Sequence, residues 1–160
     1  MTNFKGKQIL ITGASRGVGF EASKLFLKAG AHVIGTGRDE TRLKATTAIL
    51  QQLGDFTPLL ADFDEAKAPA AVADAVQAKW DSLDMLLNNA AVQTYKSDWM
   101  EEGLHLLNDQ WRCNVFAQHE LIFRLQNLLK AGSEPRVVNV SSGAGSLQAL
   151  KESPDMPTYR

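Results

Sequence analysis

The chain predicts an α/β fold, a doubly wound parallel sheet with helices on both faces, and three features of its 160 residues lead there. Short apolar runs alternate with longer segments whose apolar residues recur at helical spacing, the pattern of successive βαβ units. Several runs lack the polar alternation of a half-exposed strand, as expected where helices cover both faces. A glycine-rich stretch, TGASRGVG, separates the first run from the first helical segment.

The strands read in order as 7–12 (KQILIT), 32–36 (HVIGT), 56–61 (FTPLLA), 83–88 (LDMLLN) and 136–141 (RVVNVS), five in all. Helical spacing places helices near 17–29, 40–53, 65–80 and 109–131. Gly30, Gly54 and Gly132 stand where a left-handed residue commonly closes a helix. Between Val92 and Asn108, WMEEGLHLL suggests a short helix leading into the long one. Pro154 and Pro157 mark an irregular loop after the fifth strand, because proline lacks an N–H and pushes its predecessor out of the helical region. No repeat, linker or low-complexity tract interrupts residues 1–160, which read as one domain of a size that a single core supports.

Composition narrows the function. With 17 basic and 18 acidic residues and no long run of either sign, the chain lacks the basic footprint of a nucleic-acid binder. Its 44% apolar and 22% charged content suggests neither disorder nor a membrane span, so the expected partner is a small molecule. Cys113 is the single cysteine, which excludes an intrachain disulfide, and MTNFKGKQILITG is too polar for a secretory signal; a reducing cytoplasm is the expected address. Cys113 and His119 have no metal-spaced companions and read as packing or surface, so no metal site is expected. Trp80, Trp99 and Trp111 read as packing residues.

The glycine turn carries the first functional expectation. Gly13, Gly17 and Gly19 let the backbone turn sharply and approach a pyrophosphate, while the helix that follows offers unpaired N–H groups and the positive end of its dipole. Such a triplet means little alone, but lying between strand and helix it has the context the motif requires.

The spacing TGxxxGxG, rather than GxGxxG, resembles the first turn of the short-chain dehydrogenase/reductase family, and further motifs follow in the family's order. NNAA (88–91) is close to the family's NNAG, with Ala91 in place of glycine, a change that slightly crowds the nicotinamide side. Asn114 in WRCNVFAQ falls at the catalytic asparagine, VVNVSS puts Ser142 at the catalytic serine, and Tyr159 in PTYR matches the start of YxxxK. The resemblance implies a Rossmann-type sheet in the order 3-2-1-4-5. It implies a nucleotide site formed by Gly13, Ser15, Arg16, Gly17, Val18, Gly19, Arg38, Asp62, Phe63, Asn89 and Ala90, with Asp62 on the adenine. The implied activity is hydride transfer between a nicotinamide dinucleotide and a carbonyl or alcohol substrate.

Cofactor preference is set at the end of the second strand, where a carboxylate binds a ribose 2′-hydroxyl but repels a 2′-phosphate. That strand ends GTGRDE, where the resemblance puts Gly37 in the carboxylate position and Arg38 next. Together with Arg16 in the glycine turn, Arg38 suits a phosphate by charge and by bidentate geometry, so NADP(H) is the expected cofactor. Asp39 is the awkward neighbour, one rotation away from the ribose.

By the resemblance, Tyr159 gives the proton, Ser142 polarises the substrate oxygen, and Asn114 holds a water that links a lysine to solvent. A free phenol ionises near pH 10, so it needs a nearby cation, which the family supplies with a lysine one helical turn on. That position lies beyond Arg160. Two accounts stay open: a portion of a longer reductase, or a truncated product acting as a non-catalytic nucleotide-binding or interaction protein. In the truncated case the fifth strand, normally covered by a further strand, presents an apolar edge, which a second copy or a complementary chain could cover. The stretch GAGSLQALKESPDM exceeds the commonest family spacing and points to a monomeric carbonyl-reductase-like branch. The substrate itself is not readable, because specificity in such sheets resides in loops beyond the strand ends.

Overall fold

Ile9, Leu10 and Ile11 are all fully buried, which a strand achieves only when both faces are covered. They belong to β1 (Gln8–Ile11), the middle of a five-stranded parallel sheet completed by β2 (His32–Gly37), β3 (Phe56–Leu60), β4 (Met85–Asn88) and β5 (Arg136–Asn139). The order is β3-β2-β1-β4-β5, as expected, in a computed structural model that describes residues 4–92, 107–143, 146, 148 and 151. Leu10 pairs with Ile34 on one side and Leu86 on the other, and successive residues of β1, β2 and β4 enter opposite cores.

The sheet divides two apolar cores. Ile9, Ile11, Val33, Met85 and Leu87 meet Leu27 of α1 (Gly17–Lys28) and Leu50 of α2 (Glu40–Gln51). On the other face, Leu10, Ile34 and Leu86 meet Val72 and Val76 of α3 (Ala68–Lys79) and Leu121, Leu125 and Leu129 of α4 (Ala117–Ala131). A π-helical turn, Arg112–Phe116, leads directly into α4. Strand order reverses between β1 and β4, and this switch point opens a crevice at the carboxyl ends of the strands.

Several local expectations are corrected. Gly30 does close α1 in the left-handed region (φ +84°), but Gly54 does not adopt a positive φ and Gly132 is extended (φ −65°, ψ 150°). Position 132 needs glycine because a Cβ there meets the carbonyl of Leu83. Trp80 is buried, as a packing residue should be, whereas Trp111 is 52% exposed and stacks on Phe116 at 6.0 Å. β5 is exposed at all four residues, with only β4 as a strand neighbour among the described residues. Trp99, Pro154, Pro157 and most of the short helix expected before Asn108 lie outside the described residues.

At the amino ends of the strands, Asp84 ties the sheet together. Its carboxylate accepts from the backbone N–H of Gln8 (2.9 Å) and of Ser133 (3.2 Å), from the Ser133 hydroxyl (2.9 Å) and from Lys7 (3.3 Å). Burial alone pushes this carboxyl up, but the Gln8 and Ser133 donors and the Lys7 ammonium together hold it below its ordinary value.

Candidate functional site

Two threonines at strand ends build the frame of the crevice. Thr12, buried after β1, accepts the backbone N–H groups of both Asn89 and Ala90 at 2.9 Å, which locks the end of β4 to the end of β1. Thr36 in β2 accepts the N–H of Gly13 through its hydroxyl (3.2 Å) and that of Ala14 through its carbonyl (2.7 Å). The Asn89 amide then donates back to the carbonyls of Thr12 (2.9 Å) and Gly13 (3.1 Å). Three strand ends and the glycine turn thus form one hydrogen-bonded unit.

The glycines have separate reasons. Gly13 sits at φ +70° with Ala90 Cα so close that a Cβ would stand 3.0 Å from it. Gly17, at φ +55°, opens on empty space. Gly19 is buried where the first turn of α1 crosses the turn itself, and a Cβ there runs into the Gly13 carbonyl and the Asn89 amide. Helix α1 starts at an extended Arg16 that supplies no side-chain cap, and its first turn carries no acidic residue. Its leading N–H groups are therefore left for an external acceptor, and the positive helix end faces the crevice. These features fit the diphosphate of a dinucleotide.

Over this frame lies an open cavity of about 280 Å3. Of the residues expected at a nucleotide site, Gly13, Ser15, Arg16, Gly17, Val18, Arg38, Asp62, Phe63, Asn89 and Ala90 all line it; Gly19 supports it from behind. Arg38 lies 3.7 Å from the Asp64 carboxylate, and Arg42, which the sequence reading passed over, lies 3.5 Å from Asp39. Asp39 caps α2 by accepting the Arg42 N–H at 2.9 Å, so its carboxylate is engaged in holding that helix. Gly37 packs against Ser15 so closely that a Cβ would come 2.9 Å from the Ser15 hydroxyl, which accounts for glycine at the position expected for a carboxylate.

Asn114 lies in the π-helical turn, and its amide pairs with the backbone of Val92: Oδ1 accepts the Val92 N–H (2.8 Å) and Nδ2 donates to the Val92 carbonyl (2.9 Å). This clamp, with Gln118 donating to the Ala90 carbonyl at 3.3 Å, fixes the chain leaving β4 along the cavity wall. Cys113 is buried in that wall, and its thiol is pushed up to about 11 by burial and by the carboxylates of Asp64 and Asp62. It is unreactive as a nucleophile near neutrality. Ser142 is exposed, three residues past β5 and outside the residues lining the cavity, and Tyr159 lies outside the described residues. His119 is exposed on α4, no group of three or more metal-ligating side chains occurs among the described residues, and no helix there is long and apolar enough to cross a membrane.

Thr12, Thr36, Arg42 and Gln118 were not foreseen. A signal for the first two was present, since ITG and GTG each place a threonine directly before a glycine at a strand end.

Comparison with known proteins extends this picture. Residues 7–159 match the family described as short chain dehydrogenase. A short chain dehydrogenase/reductase, dpmpG, of Macrophomina phaseolina is 41% identical over 151 residues, covering 89% of this chain and 84% of its own. The (+)-neomenthol dehydrogenase of Arabidopsis thaliana is 31% identical over 162 residues, covering 87% of this chain and 54% of its own. Among solved structures, a RhlG/NADP active-site complex of Pseudomonas aeruginosa superposes with a TM-score of 0.81 at 28% identity, over 91% of this chain and 59% of its own. The chain thus spans little more than half the length of two of these three relatives.

Proposed function

The chain belongs to the short-chain dehydrogenase family, and from that membership we propose that it is the nucleotide-binding domain of an oxidoreductase acting between NADP(H) and a carbonyl or alcohol substrate. The observation that carries this reading is the uncapped start of α1, aimed over the strand-switch crevice beside glycines that leave room for a diphosphate. Preference for the 2′-phosphate is supported by Arg16, Arg38 and Arg42 on one cavity rim, by Gly37 where a ribose-binding carboxylate is expected, and by NADP in the RhlG complex.

The bound coenzyme supplies or accepts the hydride. Ser142 donates to the substrate oxygen and Tyr159 delivers the proton, the roles their positions in the family motifs assign. Asn114 acts by holding Val92, and through it the segment Ala90–Val92, against the side of the cavity nearest β4. A water-holding role at Asn114 falls to its backbone or to the second amide N–H, since Oδ1 and one N–H are bonded to Val92. The exposed valines of β5, Val137 and Val138, are covered in the working protein by further polypeptide or a second copy.

Titration calorimetry tests the cofactor. NADPH is expected to bind about tenfold more tightly than NADH, and Arg38→Ala to erase that margin, the value of one charge-assisted phosphate contact. Equal affinity for the two in the wild type ends the NADP reading. Turnover with NADPH and a panel of ketones and aldehydes tests the reaction.

A further inference from the structure

We propose that Asp64 tunes selectivity between 2′-phosphorylated and unphosphorylated dinucleotides by acting as a competing counter-ion for Arg38. This rests on the nucleotide-binding reading above and adds to it a residue that does not line the cavity.

Three observations single out Asp64. Its Oδ2 lies 3.7 Å from Arg38 Nη1, with the two side chains 34% and 54% exposed. That separation is too long for a hydrogen bond, so the attraction is one of charge alone and leaves the guanidinium able to move. Second, the carboxylate's other oxygen, Oδ1, is buried without a hydrogen-bond partner among the described residues. Third, the backbone at Asp64 is fixed from both sides: its N–H donates to Asp62 Oδ1 (3.2 Å), and its carbonyl accepts from Arg112 Nη1 (2.8 Å). The anion is anchored and poorly satisfied, while its counter-ion is half-exposed and held to it by no hydrogen bond.

The remaining charges around it sharpen the conflict. Asp62 and Asp109 face Asp64 with like charge, while Arg38 and Arg112 oppose them; burial and the two carboxylates prevail and hold the Asp64 carboxyl above its ordinary range. A 2′-phosphate bound at the rim competes with Asp64 for the Arg38 guanidinium and is repelled by the same carboxylate. A ribose 2′-hydroxyl meets neither penalty. Arg42 differs, because its partner Asp39 is already committed to the cap of α2.

The test uses the full chain, with NADPH and NADH as probes and their dissociation constants measured by fluorescence titration. Asp64→Asn is expected to shift the ratio of the two constants about threefold toward NADPH, the scale of a partly exposed ion pair. On an Arg38→Ala background the same substitution is expected to leave the ratio unchanged. No shift, a shift toward NADH, or an equal shift without Arg38 overturns the proposal. A wild type that prefers NADH defeats the NADP reading alone, since the shift in ratio is still measured; a chain that binds neither dinucleotide defeats both. If Asp64→Asn fails to fold, Asp64→Ser replaces it on the wild-type and Arg38→Ala backgrounds, with the same two outcomes expected and the same results overturning the proposal.

Discussion

Asp84 and Asp64 stand at opposite ends of the same sheet, and their carboxyl groups are displaced in opposite directions. Asp84, just before β4, is met by two backbone N–H groups, a hydroxyl and an ammonium, which outweigh the effect of burial. Asp64, four residues past β3, has a buried oxygen with no partner among the described residues and two carboxylates for neighbours. The amino end of the sheet spends its polar groups on one another. The carboxyl end, with a helix start that has no side-chain cap, leaves groups open. Polar groups left open by the fold are the ones available to a ligand, so the difference marks the carboxyl end as the candidate binding end and the amino end as the one that stabilises.

The strongest way to break this comparison is to fill the carboxyl end from within. Gly19→Ala introduces a Cβ into the space between the Gly13 carbonyl and the Asn89 amide, at the knot that joins α1, β1 and β4. Backbone and a bonded amide cannot yield as a flexible side chain would, so a loss of about 3 kcal/mol is expected, at the upper end for overpacking. Urea unfolding measures it, and dinucleotide binding should disappear with it. A variant as stable as the wild type would show that the knot is loose.

The amino end is predicted to be the next most sensitive. Asp84→Ala removes one acceptor and strands several donors, and a loss of about 2 kcal/mol at neutral pH follows from the value of hydrogen bonds to a charged group. The pH dependence has a definite sign. Because the folded state holds the Asp84 carboxyl below its unfolded value of about 3.9, its contribution is complete above that pH and is lost as pH falls through the folded value. Asp64 works the other way: its carboxyl is raised in the folded state, so protonation there favours folding as pH falls. Denaturation at stepped acid pH should therefore show a flatter stability profile for Asp84→Asn and a steeper one for Asp64→Asn. Parallel profiles for the two variants would erase the contrast between the ends.

How much of this was legible beforehand follows the same division. The fold could be read because strand cores are written as contiguous apolar runs, such as QILI and MLLN, and because TGASRGVG identifies its own place between strand and helix. Motif order named ten residues that line the cavity, but not Thr36 or Arg42, which lie outside any motif. Asp84 was not, since its partners Lys7 and Ser133 come from far along the chain and no local pattern unites them. Gly132 was misread for a related reason: a glycine after a helix usually marks a left-handed residue, and only the fold reveals the Leu83 carbonyl pressing on that position. Trp111 shows the limit of residue type, because a large aromatic ring predicts burial on average and says nothing of which helix face carries it.

The smallest predicted effect tests whether distance or environment decides these energies. Glu120 and Arg124 on α4 form an ion pair at 2.7 Å, much shorter than the 3.3 Å between Lys7 and Asp84. Distance alone would rank the α4 pair as the stronger. Both of its side chains are more than a third exposed, however, whereas the Asp84 side chain is only 12% exposed and has three further donors. Water screens the first pair and has largely been replaced around the second. Glu120→Ala is therefore expected to cost less than about 0.5 kcal/mol in urea unfolding and to leave dinucleotide affinity unchanged. A cost equal to that of Asp84→Ala would mean that the amino end owes its strength to charge pairing in general rather than to a carboxylate enclosed by donors.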